Sequence, residues 1–289
     1  MTRKVLLSIA TAFSATALAC PPAVARDADS PTEAPSAAKV MVPENVQWGP
    51  LNAARGDASP RAGNLWGDRT MQGASGFLIR FEEGFSSPPH IHNITYRGLV
   101  IEGLVHNDDP AAAKMWLPAG SFWTQPAGEC HITAARGVAN LAYIEIDDGP
   151  YLVRPSDEAF DNGQRPINVH PSNFVWLDAA DVEWLQMAQG PNAPQMAFLW
   201  GDPQQGEACG ALLKLPAGFS GALRGNASPL RAVVIKGAIG HRLADGSEVQ
   251  TLPPGSYFGS SGETIHRITN MSDGDAIVYI RSSGPFTID

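Results

Sequence analysis

The sequence predicts an all-β protein made of two tandem domains, and three observations carry that prediction. Glycine (29) and proline (24) together exceed their usual share of about 12%, which favours short strands joined by tight turns over long helices. Short runs rich in Val, Ile, Tyr and Phe, such as 77–81, 96–101 and 276–280, lie between Gly and Pro residues and are typical of strands. The third observation is an internal repeat with an offset near 134 residues, which is too long for a solenoid and suits two domains.

The repeat covers nearly everything after residue 45. The sequence NLWGD at 64–68 recurs as FLWGD at 198–202, Gly84-Phe85-Ser86 returns as Gly218-Phe219-Ser220, and Tyr143-Ile144 returns as Tyr279-Ile280. Two halves with one fold predict domains at 45–165 and 166–289, each a jelly-roll sandwich or barrel. One helix is expected in the connection between them, from Ala179 to Met187.

The N-terminal residues have the pattern of an export signal. Arg3 and Lys4 precede an apolar run of 14 residues, which is shorter than the roughly 20 residues that span a bilayer. Cleavage after Ala25 is favoured over lipidation at Cys20, because the lipoprotein box lacks its usual first Leu. We therefore expect a signal peptide at 1–25, a flexible leader at 26–44, and a periplasmic or secreted protein without a transmembrane segment.

The charge balance limits the classes of partner. Twenty Lys and Arg against 29 Asp and Glu give a net charge of −9, which repels phosphate backbones. We expect no nucleic-acid partner and a small-molecule substrate, and a homodimer is left open.

Three histidines of the first half have the spacing of metal ligands. His90 and His92 in the segment GFSSPPHIH are two positions apart, so on a strand both side chains share one face. His131 follows 39 residues after His92, beyond the turn Pro126-Ala127-Gly128. Imidazole suits Fe, Zn, Cu, Ni and Mn, so His90, His92 and His131 are predicted to bind one divalent transition metal. The alternative is three hydrogen-bonded histidines inside a barrel.

These residues resemble the two motifs of the cupin superfamily. The first motif is matched at Gly84, His90, His92 and Gly103, and the second at Gly120, Pro126, Gly128 and His131. The resemblance implies a bicupin of two jelly-roll barrels. It is similar to uncharacterised exported bicupins that are related to the cupin-like domain of anti-sigma factors.

Two departures from the motifs affect the predicted chemistry. Tyr96 stands where the first motif has its glutamate, and Ala135 stands where the second ends in Asn. By resemblance, three-His cupin sites occur in thiol dioxygenases and diketone-cleaving dioxygenases that use Fe(II), so Fe(II) is favoured and Zn, Mn or Ni stay open. Tyr96 is the candidate catalytic residue behind the ligands, where it either donates a hydrogen bond to bound substrate or superoxide or fills the space left by the glutamate. The neutral ligand set favours an anionic or chelating substrate.

Other polar residues are expected to lie outside the metal site. Glu129 is interpreted as a turn residue, Arg97 as a surface or interface charge, and Cys130 as pointing away from the metal. A Cys130–Cys209 disulfide requires Cα atoms within about 7 Å and stays open. The histidines without a partner at ligand spacing are expected in loops or at the surface: His106, His170 and His241.

The second half lacks the metal motif. The offset of 134 places Arg224 and Asn226 at the positions of His90 and His92, while His266 corresponds to His131. The second barrel is therefore expected to be structural, with an anion pocket formed by Arg224 and His266 as the alternative.

Three functions follow from these observations. The leading one is a metal-dependent dioxygenase acting on a small molecule. The alternatives are a non-catalytic sensor of a small ligand or metal, and an envelope protein with structural zinc.

Overall fold

The computed structural model describes residues 38–226 and 228–289 and is built almost entirely of β-strands. The predicted signal peptide, Cys20 and most of the predicted leader lie outside the described residues. Within the described ranges there is no α-helix, and five short 3₁₀ helices occupy Pro43–Asn45, Ala53–Ala58, Ser156–Glu158, Pro171–Asn173 and Pro203–Gln205. The described residues contain no helix that could span a lipid bilayer.

Strands up to residue 169, apart from the first, form one large sheet and one small sheet. In chain order the strands up to residue 169 are β1 (Lys39–Met41), β2 (Gly49–Pro50), β3 (Arg61–Trp66), β4 (Ser75–Phe81), β5 (His90–His92), β6 (Tyr96–Asp108), β7 (Leu117–Pro118), β8 (Phe122–Gln125), β9 (Ile132–Ile146), β10 (Val153–Pro155) and β11 (Ile167–Val169). The large sheet has the order β11-β8-β6-β9-β4-β3-β2 with β7 beside β6, and β10 pairs with β5 in the small sheet.

Strands of the second half form one sheet of six strands and, together with β1, a second sheet of six. They are β12 (Gln186–Met187), β13 (Gln195–Trp200), β14 (Cys209–Leu215), β15 (Ser220–Gly225), β16 (Leu230–Lys236), β17 (Ile239–Leu243), β18 (Gln250–Leu252), β19 (Tyr257–Ser260), β20 (Ile265–Asn270), β21 (Ala276–Ser282) and β22 (Phe286–Ile288). The sheet orders are β1-β19-β16-β21-β14-β13 and β12-β22-β15-β20-β17-β18. The architecture is all-β with two jelly-roll units, as predicted.

The two halves exchange their first strands. β1 pairs with β19 of the second half, while β11 pairs with β8 of the first half. The prediction of a flexible leader through residue 44 is therefore wrong from Lys39 on, because these residues add a strand to the second barrel. The exchanged strands tie each barrel to the other with backbone hydrogen bonds.

Three groups of buried side chains form the core of the part of the chain that the structure describes. One lies inside the first barrel around Phe77 and Trp123, and another inside the second around Leu223 and Phe258. The third combines residues of both halves, including Tyr143. Nearly all of its residues come from the large sheet of the first half and from the sheet β1-β19-β16-β21-β14-β13. The apolar alternation along the strands therefore forms two barrel interiors and one shared core.

Polar residues of this shared core follow the internal repeat. Tyr143 and Tyr279 are equivalent, and their rings are 5.6 Å apart between centroids. Glu145 and Arg281 occupy equivalent positions with opposite charges, and they form an ion pair at 3.2 Å with relative side-chain exposures of 1% and 9%. Arg97 lies 3.7 Å from the centroid of Trp200 in the other half, which confirms the prediction of an interface charge.

The predicted helix from Ala179 to Met187 is wrong. Turns occupy most of this segment, followed by β12 at Gln186–Met187. The Asp178 side chain accepts a hydrogen bond from the backbone N–H of Ala180, and Asp181 accepts one from Asp178 N–H. Such local bonds compete with the helical hydrogen-bond ladder, while Val182 and Leu185 pack into the second barrel.

Three further predictions on His and Cys residues have clear outcomes. His106 and His241 are buried in β6 and β17, so the expectation of loop or surface positions is wrong for both. His170 is exposed as expected. Cys130 and Cys209 are both free thiols, so these two residues form no disulfide.

Candidate metal centre

The three predicted histidines come together inside the first barrel. His90 and His92 project from one face of β5, and His131 lies opposite His90, with which it exchanges two backbone hydrogen bonds of 3.0 Å. Their possible ligand atoms all lie within 4.8 Å of one another. The strand alternation and the turn before His131 therefore build the cluster that the motif spacing predicts.

Hydrogen bonds to backbone carbonyls fix the orientation of all three rings. A carbonyl oxygen only accepts, so the Nδ1 atom of each ring carries the hydrogen and Nε2 keeps its lone pair. The acceptors are Pro88 O at 3.0 Å from His90, Leu152 O at 3.0 Å from His92, and Glu129 O at 3.1 Å from His131. This is the arrangement by which backbone groups orient histidine ligands in metal sites.

One ligand nitrogen of the histidine cluster is buried without a partner among the described residues. His131 Nε2 is buried and makes no hydrogen bond. A buried acceptor without a partner costs free energy, which a bound cation would recover. The donor set therefore fits a divalent transition metal.

Burial keeps the three histidines neutral. Desolvation lowers the pKa of His131 to about 3 and the pKa of His92 well below its usual value, and the neighbouring histidines add to both shifts. The pKa of His90 is also lowered, first by burial. Neutral imidazole is the form that binds metals, so the site is ready to accept an ion at neutral pH.

Tyr96 contacts the cluster with its ring and not with its hydroxyl. Its ring lies edge-on to His92 with centroids 5.0 Å apart, and its hydroxyl donates to Asn107 Oδ1 at 2.9 Å. Asn107 also accepts from Thr133 and donates to Gln125. The Tyr96 hydroxyl is thus held in a buried polar network behind the histidines, where its pKa is raised by burial.

Tyr151 is a site residue that the sequence did not reveal. Its ring stacks on His92 at 4.4 Å between centroids, and its hydroxyl lies 3.2 Å from His92 Nε2. Burial raises the pKa of this hydroxyl well above its usual value, so it keeps its proton. Tyr151 follows β9 in a loop 59 residues from His92 and belongs to no spacing motif, so no signal in one sequence identifies it.

A cavity of about 250 Å³ opens beside the histidines. Its walls are largely apolar, with His90, His92 and Tyr151 on one side. Arg55, from the 3₁₀ helix Ala53–Ala58, also lines it, and its guanidinium carbon lies 6.0 Å from the centroid of Phe85. Arg55 has no ion pair with a carboxylate of the described residues, so the cavity contains an uncompensated positive charge.

Residues expected to lie outside the cluster do so. The Glu129 carboxylate is not among the grouped ligand atoms, although its backbone carbonyl orients His131. Cys130 is half-exposed and is not part of the group.

Strand register corrects the predicted equivalences in the second barrel. Leu223 pairs with His266 as His90 pairs with His131, so Leu223 and Gly225 occupy the positions of the first two ligands. Arg224 and Asn226 are therefore each shifted by one residue from the predicted positions. Ser220 pairs with Thr269 as Ser86 pairs with Ala134, so the offset is still 134 at Ser220. It is 133 from Leu223 on, because His90 lies four residues after Ser86 and Leu223 only three after Ser220, and a longer loop before β16 restores 134.

His266 has different partners from His131. Its Nε2 atom lies 2.8 Å from Ser260 Oγ, and its Nδ1 lies 2.9 Å from His241 Nε2. Arg224 lies on the opposite face of β15 from Leu223, so the alternative of an anion pocket formed by Arg224 and His266 is wrong. The second barrel holds no comparable group of ligands among its described residues.

Residues 39–289 match one protein-family model, described as a domain of unknown function (DUF4437). The chain belongs to this family. The match begins at the first residue of β1, so it includes both barrels and the exchanged strand. No protein with a curated description matches the chain.

Solved structures with the cupin fold resemble the whole two-barrel chain. A candidate dioxygenase from Nostoc punctiforme has a TM-score of 0.62 at 16% identity, covering 85% of this chain and 82% of that one. Salicylate 1,2-dioxygenase from Pseudaminobacter salicylatoxidans has a TM-score of 0.55 at 13% identity, with coverages of 86% and 84%. Oxalate decarboxylase from Lactobacillus farciminis has 0.52 at 10%, with coverages of 86% and 87%. These likenesses establish the cupin fold.

Proposed function

We propose that this protein is a metal-dependent oxygenase that acts on a small molecule in the first barrel. The observation that carries the proposal is the convergence of three neutral histidine Nε2 atoms beside a cavity, one of them buried without a partner. Two of the similar structures are described as dioxygenases. This likeness is weaker support for the proposal, because one fold hosts many activities.

His90, His92 and His131 would hold the ion, and Fe(II) is the preferred candidate, followed by Zn, Mn and Ni. A bound redox-active metal would supply open coordination positions at which substrate and dioxygen can be activated. The chain itself contributes the fixed ring orientations, the neutral ligand state and a largely apolar cavity.

The cavity favours a substrate with an apolar body and an anionic group. Phe81, Trp123 and Ile144 supply apolar wall, while Arg55 supplies a positive charge without a carboxylate partner. The Tyr151 hydroxyl keeps its proton, which it donates to His92 Nε2 in the metal-free protein. When that nitrogen binds a metal, the hydroxyl would be free to donate a hydrogen bond to a molecule in the cavity. Tyr151 replaces Tyr96 as the tyrosine expected to contact substrate.

Metal analysis tests the site directly. We expect about one equivalent of metal in the wild type, purified without affinity metals, and its loss in His92→Ala. His170→Ala, at an exposed histidine outside the cluster, is the matched control and should retain the metal. Absence of metal from the wild type even after reconstitution with iron, zinc, manganese or nickel would exclude the metal centre.

Oxygen consumption tests the reaction. With iron bound, we expect oxygen uptake on a panel of thiols, diketones and hydroxylated carboxylic acids, and no uptake by His92→Ala. Saturable binding of these compounds without oxygen uptake would contradict the oxygenase and support the alternative of a non-catalytic ligand sensor.

Further predictions rest on the sequence alone and are kept as proposals. They are export to the periplasm or beyond after cleavage behind Ala25, and a relation to the cupin-like domain of anti-sigma factors. Peptide mapping of the N-terminus of the protein made by its host tests the cleavage, and also shows whether Cys20 is retained.

A further inference from the structure

The second barrel has two arginines side by side on its outer surface. Arg242 on β17 lies directly opposite Arg267 on β20 in the antiparallel register, and both are exposed. Their strand neighbours His241, His266 and Ile268 are buried, so the arginines occupy the outer face. Like charges directly opposite each other on a sheet are destabilising unless a negative group lies between them.

The described residues of the chain do not supply that negative group. None of the five ion pairs found among them includes Arg242 or Arg267, and the two guanidinium groups have no hydrogen bond to any described residue. The equivalent positions in the first barrel, by register, are Asp108 and Ile132. The basic pair is therefore a feature of the second barrel alone.

A small polar pocket lies next to the arginines. It has a volume of about 170 Å³ and is lined by both of them together with Ser220, Thr269 and three smaller or apolar residues: Gly221, Gly240 and Val249. Ser220 Oγ and Thr269 Oγ1 are 3.1 Å apart, so one hydroxyl hydrogen lies between them and the other is free to bond an acceptor. A side chain at position 240 would come within 3.3 Å of Met271 and Val249, so glycine keeps this part of the pocket open.

We propose that this pocket binds a phosphate-type oxyanion, either free or as the phosphoryl group of a small metabolite. Planar guanidinium groups donate pairs of hydrogen bonds to such oxyanions, and a hydroxyl donor completes the ring of donors. The pocket lies on the outside of the second barrel, whereas the histidine cluster lies inside the first. Binding there is therefore independent of the metal and of the proposed oxygenase activity.

Titration calorimetry with inorganic phosphate at constant ionic strength tests the site, with sodium chloride as the reference salt. We expect saturable binding by the wild type and at least a ten-fold increase in Kd for Arg242→Gln and for Arg267→Gln. Arg136→Gln is the matched control, because Arg136 is an exposed arginine of the first barrel and this variant should bind phosphate like the wild type.

Two further measurements distinguish phosphate binding at this pocket from binding in the first barrel and identify the form of the ligand. His92→Ala and Arg55→Gln should leave phosphate binding unchanged, since both alter only the first-barrel cavity. Glycerol 3-phosphate in place of phosphate shows whether a phosphoryl ester binds more tightly than the free ion. The proposal is overturned if the wild type shows no saturable binding of either compound, or if both arginine variants bind as tightly as the wild type.

Discussion

The two barrels share a fold and a strand register, yet only one of them presents metal ligands. His131 and His266 occupy equivalent places, opposite His90 in the first barrel and Leu223 in the second. In the first barrel the histidine Nε2 is buried and unpartnered, whereas in the second it is bonded to Ser260. The difference shows that the backbone hydrogen bonds between strands maintain the fold. A few inward-facing side chains decide whether the barrel interior can bind a metal or is only a packed core.

Where the barrels meet, equivalent positions have opposite roles. Glu145 and Arg281 are equivalent in the repeat and form a buried ion pair with each other. Glu145 also accepts hydrogen bonds from Tyr279 at 2.7 Å and from Tyr143 at 3.1 Å. A duplicated sequence with the same residue in both places would bury two like charges, so the divergence of the halves stabilises their contact.

The largest expected effect follows from breaking this pair. Glu145→Gln should lower the free energy of unfolding by about 3 kcal/mol, because Arg281 is then left buried with only the exposed partner Asp147. Urea denaturation of the metal-free protein measures the loss. Asp161→Asn removes an exposed ion pair to Arg165 and should cause no measurable change. Equal stability of Glu145→Gln and the wild type would show that the pair does not stabilise the interface.

A comparable loss of stability is expected at Leu223 but not at His90, although the two residues occupy equivalent strand positions. Leu223→Ala should lower the free energy of unfolding by about 3 kcal/mol, because Leu223 is fully buried in the core of the second barrel. His90→Ala should change it by less than about 1 kcal/mol in the metal-free protein, since His90 is half-exposed at the cavity.

Metal content is the second measurement on the same pair of variants. Leu223→Ala should keep the metal, and His90→Ala should lose it. If metal loss followed Leu223→Ala and not His90→Ala, the assignment of the site to the first barrel would be wrong.

Acid should weaken the second barrel through its buried histidines. Burial lowers the pKa of His241 and of His266 to about 4 from about 6.5, so between these values the unfolded chain binds more protons than the folded one. Stability is therefore complete above about pH 6.5 and is lost as the pH falls towards 4, by roughly 2 kcal/mol or more for the coupled pair.

His241→Asn isolates this contribution, because Asn107 occupies the equivalent place in the first barrel. The stability of this variant should fall less steeply than that of the wild type between pH 6.5 and pH 4. Denaturation curves of the two metal-free proteins across this range measure the difference, and the histidines of the first barrel cancel in it. Parallel pH profiles would exclude a role for His241.

The smallest expected effect concerns the single described cysteine of each barrel. Cys209 is buried, and burial raises its pKa to about 11, whereas Cys130 is half-exposed. A thiol reagent at pH 8 should modify Cys130 in the native protein and Cys209 only after unfolding. Peptide mapping resolves each cysteine, and labelling of Cys209 in the native state would show that the second barrel opens under these conditions.

Much of the fold and most of the cluster are predictable from the sequence. Strand alternation at His90 and His92, the turn before His131 and the repeat near 134 residues depend on local geometry, which a sequence displays. Arg55 and Tyr151 could not be predicted in this way, since they reach the cavity from a short 3₁₀ helix and a loop that are distant in the chain from the histidines. The helix predicted at 179–187 does not form, because the Asp178 and Asp181 side chains accept hydrogen bonds from nearby backbone N–H groups. Apolar residues of the segment pack into the core of the second barrel instead.

Spacing along the strands is enough to predict the all-β class, the duplication, the three-histidine cluster and the absence of its equivalent in the second half. The folded molecule was needed to show the exchange of β1 and β11, the partners of His266, the pair of Glu145 with Arg281 and the pocket lined by Arg242 and Arg267. These contacts join residues far apart in the chain, and a one-residue difference in length shifts the equivalences that follow it until a longer loop restores them.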